Sequence, residues 1–256
     1  MNFSVFIRSH DRYELLKKSL KSVTYQRKKP IEVFVLDDLN QKKVLMLVKK
    51  YQKKFSLIRY NYENTKNKYN SLKNLNLKVK KAKGKYLAFL DDDDTWDLSY
   101  LKRNLKIIGN YDVIYSNFFE IYGKHKKLFK INKMSFEENI LSNNGFLMSN
   151  LIVKKKVFSS LHGFDDKLIS SADKDFFLKA KFKNKKIFVQ KLPLVNYNSA
   201  QLLNRWRWSN DYFSSLPGVM QFYKKYFFKI PFLKHIKMIK KIIIFILLSF
   251  RQLLRK

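Results

Sequence analysis

The stretch Gly84-Lys85-Tyr86-Leu87-Ala88-Phe89-Leu90-Asp91-Asp92-Asp93-Asp94 decides how the chain is read. Residues 86–90 are β-prone and apolar without a break, as a strand buried on both faces requires. Four carboxylates follow at once. Adjacent carboxylates repel one another, and leaving them unpaired costs stability, so such a cluster commonly persists because a cation neutralises it. Hard oxygen donors suit Mg2+ or Mn2+, shared with substrate phosphates. The competing reading is a solvated acidic turn that caps a helix near residue 98.

The same pattern recurs upstream. Residues 3–7 and 31–36 read as buried strands, the second ending at Asp37-Asp38. A shorter strand is expected at 56–60. Helices are expected at about 12–26, 41–54 and 68–81, with Leu16, Leu20 and Val23 on one stripe of the first and Asp11 as its N-cap. This β-α-β-α-β-α-β alternation implies a mainly parallel sheet flanked by helices. Polar and acidic residues fall at 8–11, 37–38 and 91–94. In an open α/β sheet such strand ends line the ligand crevice.

Beyond residue 97 the spacing of Leu98, Leu101, Leu105 and Ile108 predicts a helix, and 112–116 and 118–122 read as strands. Residues 123–150 read as irregular. A strand at 150–153, a short helix at 154–160, a helix from Asp173 to about Phe182 and short strands over 186–197 complete this part. No GxGxxG or GxxxxGK[ST] phosphate loop occurs.

Composition narrows the chemistry. The 256 residues include no Cys, which excludes disulfides, Cys-ligated metal and a thiol nucleophile. Four scattered His leave little room for a His-rich metal site. The N-terminus lacks a basic leader and a long apolar stretch, so a cytoplasmic address is expected. With 54 Lys and Arg against 20 Asp and Glu, the net charge is +34. That charge invites a nucleic-acid or anionic-membrane partner. Abundant Lys, Asn, Ile, Phe and Tyr with little Gly, Ala or Pro is also what an AT-rich genome encodes. After Asp211 no acidic residue follows, while ten Lys or Arg do. The apolar run 242–250 would cover only about 14 Å as a helix, half of a ~30 Å hydrocarbon core. A basic, aromatic-bearing helix of that kind suits the interface of an anionic membrane, and packing on the domain or on a second copy is the alternative.

Five segments in order resemble the family 2 glycosyltransferases of GT-A fold. They are Phe3 to Arg12 as the opening strand and nucleotide loop, Val35-Leu-Asp-Asp38, Leu72-Lys-Asn-Leu-Asn76 with Asn74, Gly84 to Trp96 as the metal-binding DxD segment, and Gly163-Phe-Asp-Asp166 followed by Ala172-Asp-Lys-Asp175. The match covers roughly residues 2–190. The resemblance implies a GT-A domain over 1–200, with a nucleotide-binding half (1–97) and an acceptor half (98–200), and a basic, apolar helical extension over 201–256.

It also implies roles. Asp38 would accept a hydrogen bond from the base, His10 would stack on it, and Arg8 would contact base or ribose. Lys73 would stand near the diphosphate and Asp92 near the ribose. Asp93, with Asp91, would hold Mg2+ or Mn2+, and Asp173 would be the general base of an inverting transfer from a nucleotide-sugar, UDP-linked by expectation. The acceptor would be a glycan or lipid-linked glycan of surface polysaccharide or lipopolysaccharide, met at the inner membrane face through residues 216–256, with no nucleic-acid partner. A helix cap is the alternative for Asp173, and core packing is favoured for Trp96.

Three positions depart from the family pattern. Ala172 stands where Glu is usual, Lys73 replaces Arg and loses bidentate geometry, and Asn76 replaces a Gly, which Asn tolerates through its left-handed range. Gln201 and Arg205-Trp206 approach a QxxRW motif with one residue too many, which favours single addition over processive synthesis. The alternatives from another class are a basic nucleic-acid-binding protein, with Arg205-Trp206-Arg207-Trp208 as its patch, and a non-catalytic assembly protein on a degenerate transferase fold.

Overall fold

The computed structural model describes residues 2–56, 58–64, 71–132, 134–142, 144–168, 170–199 and 212–253. Its first half runs β1 (Phe3–Ser9), α1 (Tyr13–Thr24), β2 (Glu32–Asp37), α2 (Lys42–Lys54), β3 (Arg59–Asn64), α3 (Ser71–Lys81), β4 (Tyr86–Asp91). The second half follows with β5 (Thr95–Trp96), α4 (Tyr100–Ile108), β6 (Val113–Tyr122), β7 (His125–Phe129), α5 (Phe136–Leu141), β8 (Leu151–Lys154), α6 (Lys155–Ser160), α7 (Ala172–Phe182), β9 (Ile187–Asn198), α8 (Tyr212–Tyr226) and α9 (Phe232–Leu253).

The strands join one sheet in the order β3-β2-β1-β4-β8-β6-β9-β5, with β7 hanging on β6. The β3-β2-β1-β4 half is all parallel. Beyond it β8 pairs antiparallel with β4 and β6, while β9 returns parallel to β6. The sheet is therefore α/β with helices on both faces, as expected, but mixed in its second half. Chain order reverses between β1 and β4, so a crevice opens at their carboxyl ends.

Alternation along the buried strands feeds two cores. Phe6, Phe34 and Phe89 point to one face, where Phe6 stacks on Phe34 at 4.9 Å, and this face is covered by residues of α3, α6, α7, α8 and α9. Val5, Ile7, Val33, Val35, Ala88 and Leu90 point to the other face, under α1, α2 and α4. Each side-chain layer is apolar, which is why these strands carry no polar alternation. Gly84 enters β4 where the chain crosses β1 closely. A Cβ there would lie 2.4 Å from the Ser4 amide nitrogen, so no side chain fits.

The structure corrects several local expectations. Asp11 does not cap α1. It takes a left-handed φ of 45°, and Arg12 occupies the cap position without a side-chain cap bond. β3 lies at 59–64 rather than 56–60, because its apolar residues are the alternate Tyr60 and Tyr62 of a polar outer strand. The two strands expected over 112–122 are one, with a register shift between Ser116 and Phe118. The short strands over 186–197 are likewise one, β9. Residues 123–150 are not irregular throughout. They hold β7 and α5, and α5 starts at a Ser135–Glu138 capping box whose spacing was legible. Asn76 is helical within α3, so its left-handed tolerance goes unused. Its side chain instead donates to the Phe164 carbonyl at 2.8 Å and accepts the Phe164 N–H at 3.0 Å. Gln201 and residues 205–208 lie outside the described residues.

Candidate active site

Two loops meet across the sheet at the reversal point. The end of β1 and the loop after it carry Arg8 to Arg12, and the end of β4 and the turn after it carry Asp91 to Asp94. The parallel register sets Arg8 opposite Asp91. The Arg8 guanidinium reaches Asp91 Oδ1 through Nη2 at 2.6 Å and Nε at 3.2 Å. Four residues on, Arg12 Nη1 meets Asp93 Oδ2 at 2.6 Å and its Nη2 meets Asp92 Oδ1 at 2.7 Å. The His10 N–H donates to Asp92 Oδ2 at 2.8 Å. Arginine thus offsets the mutual repulsion of three carboxylates, through its planar fork.

The acidic turn is held from behind. Ser19 Oγ of α1 donates to the carbonyls of Asp92 and Asp94, at 2.9 and 2.5 Å. Asp94 Oδ1 accepts the Asn198 N–H at 2.8 Å, tying the turn to the end of β9. Burial, then the charges of Asp93 and Asp91, push the Asp94 carboxyl well above its usual range, as for a residue kept for structure. Asp92 is pushed up to about 8, chiefly by burial, against the pull of Arg12. Trp96 is buried, stacks on Tyr100 at 4.4 Å and donates from Nε1 to the Ser149 carbonyl at 2.8 Å, so it packs the core beneath the site.

Asp37 and Asp38 end β2 on the same edge. Asp37 is fully buried and shapes its own turn: its carboxylate accepts the Gln41 N–H at 2.7 Å, the Leu39 N–H at 3.2 Å and the Tyr62 hydroxyl at 2.9 Å. Asp38 faces the crevice, with His10 Nδ1 3.9 Å from its Oδ2. Lys73 is exposed in the first turn of α3.

Asp173 is half-buried in the first turn of α7, not at its cap, which is Ser171 in a left-handed conformation. Its Oδ1 accepts the Lys174 N–H at 2.8 Å. Burial foremost, and the charge of Asp91, push its pKa up to about 6, against the Lys174 N–H and Arg8. Burial also works against the charge on Arg8. Asp91 first, then Asp38 and Asp173, outweigh it and hold that guanidinium above its ordinary value. Arg8 therefore lies in the field of all three carboxylates, and the structure brings Arg8, His10, Asp38, Asp91, Asp92, Asp93 and Asp173 to one crevice.

Arg12, Ser19 and Ser149 were given no role from the sequence. Arg12 follows Arg8 by four residues, in the loop after β1, but its partners lie about eighty residues on, a pairing no local pattern carries.

No group of three or more His, Cys, Asp or Glu among the described residues is placed to hold a metal. The donor chemistry still fits a hard divalent cation. Mg2+ is usually bound through one or two carboxylates plus substrate phosphates, rather than by an all-protein cage. Asp93 and Asp91 are the residues that would hold it here.

A family model described as glycosyl transferase family 2 matches residues 4–162. An uncharacterized glycosyltransferase of Methanocaldococcus jannaschii is 32% identical over 173 residues, which cover 64% of this chain and 59% of the relative. The chain thus spans about three-fifths of that relative's length. The amylovoran biosynthesis glycosyltransferase AmsB of Erwinia amylovora is 25% identical over 210 residues, 77% of this chain and 70% of AmsB. Among solved structures, residues 1–349 of S. aureus TarS in complex with UDP superimpose with a TM-score of 0.64 at 17% identity, over 92% of this chain and 77% of that one. That likeness shows the fold, which is GT-A.

Proposed function

Because the chain belongs to glycosyl transferase family 2, we propose that it moves one sugar, with inversion, from a UDP-sugar onto a lipid-linked or glycan acceptor of a surface polysaccharide or lipopolysaccharide. The observation that carries this reading is the crevice itself. One cation, Arg8, lies in the field of Asp38, Asp91 and Asp173, which come from the ends of β2 and β4 and the start of α7. Release of nucleoside diphosphate from a sugar nucleotide tests it.

Asp38 takes a base N–H, and His10, beside it, gives the base a ring to stack on. Arg8 contacts the base or ribose, and Lys73 supplies charge toward the diphosphate, while Asp92, its side chain fully buried against Arg12 and the His10 N–H, braces the loop beneath the ribose rather than touching it. A divalent cation on Asp93 and Asp91, when bound, supplies Lewis-acid stabilisation of the departing diphosphate. Asp173 removes the proton from the acceptor hydroxyl. The acceptor oxygen then bonds to the anomeric carbon as the bond to the diphosphate oxygen breaks on the opposite face, which inverts the centre.

We assign residues 1–200 to the transfer chemistry and, within the 201–256 extension, α9 to holding the enzyme on the inner face of the cytoplasmic membrane. Residues Phe232, Ile236, Ile239, Ile243, Leu247 and Phe250 of α9 are all exposed and recur at helical spacing, so they form one apolar stripe. Lys237 and Lys240 are exposed beside it, while Met238 and Ser249 are buried on the opposite side. Among the described residues no helix is long and apolar enough to cross a membrane. A helix with an exposed apolar stripe, flanking lysines and no acidic residue matches an anionic bilayer surface. The chain is expected to sediment with phosphatidylglycerol vesicles and far less with phosphatidylcholine vesicles. Ile236→Glu with Ile243→Glu is expected to abolish that binding. Equal binding to both lipids, or a stable dimer that masks the stripe, would contradict the assignment.

A further inference from the structure

Among features the proposed chemistry leaves unused, the best connected is an ion cluster built around the buried Asp175, between α7 and α8. Asp175 is fully buried two residues after Asp173, in the same first turn. Its Oδ1 is met by Lys225 Nζ at 2.5 Å and by the Tyr226 hydroxyl at 2.8 Å, both from α8. Lys179 Nζ, one helical turn on, lies 3.5 Å from Oδ2. Lys225 Nζ also lies 2.5 Å from Asp165 Oδ2. One ammonium therefore joins the beginning of the 165–171 loop to the turn in which it ends.

α8 grips the same loop elsewhere. Gln221 Nε2 donates to the Lys167 carbonyl at 2.6 Å. Gly218 sits so close to Ser170 that a Cβ would be 2.4 Å from the Ser170 hydroxyl. Lys174, next to Asp173, runs under the Phe222 ring at 4.7 Å and donates to the Ile140 carbonyl at 2.6 Å. The loop needs such restraint, since it enters α7 through Ser171 at a φ of 62° with no side-chain cap. A base must be held closely to act, because a misplacement of about 1 Å can cost a hundredfold in rate.

We propose that α8 is part of the catalytic apparatus: Lys225 and Tyr226, acting through Asp175, position the turn that carries Asp173. This rests on Asp173 being the base. Lys225, Tyr226 and Asp175 are then positioning residues, and the role of Ala172, where the family usually has an acid, matters less because the turn is fixed from outside.

The test uses the full chain with Lys225→Met, Tyr226→Phe and Lys225→Arg, measuring kcat, donor KM and UDP affinity. Lys225→Met is expected to lower kcat at least tenfold and Tyr226→Phe about threefold or more, with donor KM and UDP affinity unchanged. Lys225→Arg is expected to restore most of the loss. Tyr226→Phe removes one hydroxyl only, and retained UDP affinity reports an intact fold. Wild-type kcat in both Lys225→Met and Tyr226→Phe overturns the proposal. So does an equal loss in Lys225→Met and Lys225→Arg, or a loss that falls on UDP affinity instead. Asp173→Asn, run alongside, separates the two ideas. If it is active, the base assignment fails; if it is silent while the α8 variants match wild type, only the positioning role fails.

Discussion

Asp173→Asn is expected to slow transfer about a thousandfold (~4 kcal/mol) while leaving UDP affinity intact. The amide keeps the shape of the side chain and its place in the first turn of α7, but it has no lone pair basic enough to take the acceptor proton. The wild-type pH profile should carry the signature of the same group. Burial holds Asp173 up at about 6, and only the ionised form acts as base. The free-enzyme kcat/KM should therefore fall about tenfold per pH unit below 6 and flatten above it. The stability sign runs the other way. A carboxyl whose pKa is raised by the fold costs the folded state stability progressively as pH rises from the unfolded value of 3.8 to about 6, in full above that, and not at all well below 3.8. At pH 7.5 the Asn variant should melt no lower than wild type, so lost activity with a maintained melting temperature identifies function rather than folding.

The second large effect is at Asp93. Asp93→Asn is expected to lower kcat/KM at least a hundredfold, about 2.7 kcal/mol, and to abolish stimulation by Mn2+ or Mg2+. EDTA should silence the wild-type chain, and added Mn2+ should restore it. Asparagine preserves a partner for Arg12, which sits 2.6 Å from Asp93 Oδ2, so the acidic turn should keep its shape. Full turnover in EDTA would remove the metal from the account without touching Asp173.

Much of this was legible because it is local. The run from Tyr86 to Leu90 with its acidic end, the end of β2 at Asp37-Asp38, and the alternation of strands and helices follow from periodicity and turn chemistry, and they put the crevice where it lies. Trp96 packs the core, as expected. What escaped depends on pairings distant in sequence. Arg12 clasps Asp92 and Asp93 from the loop after β1. Lys225 reaches Asp175 across fifty residues. The antiparallel insertion of β8 between β4 and β6 depends on which strand a chain segment finds, and the run 151–154 reads alike in either direction. In 242–250 the apolar residues were plain, but the stripe that leaves one side of α9 exposed emerges only once the other side, through Met238 and Ile242, has found the core. Asn76 was misread because a rule about backbone tolerance was applied to a side chain that works by hydrogen bonding.

The central claim is that this crevice breaks the bond between a sugar and a nucleoside diphosphate. Its most direct measurement is UDP release by the full chain from a panel of UDP-sugars, with Mn2+, on vesicles carrying a lipid-linked glycan. At least one donor is expected to yield UDP together with an elongated lipid-linked product, and neither should form with Asp173→Asn. No UDP from any donor, with steeply salt-dependent RNA binding in its place, would contradict the claim.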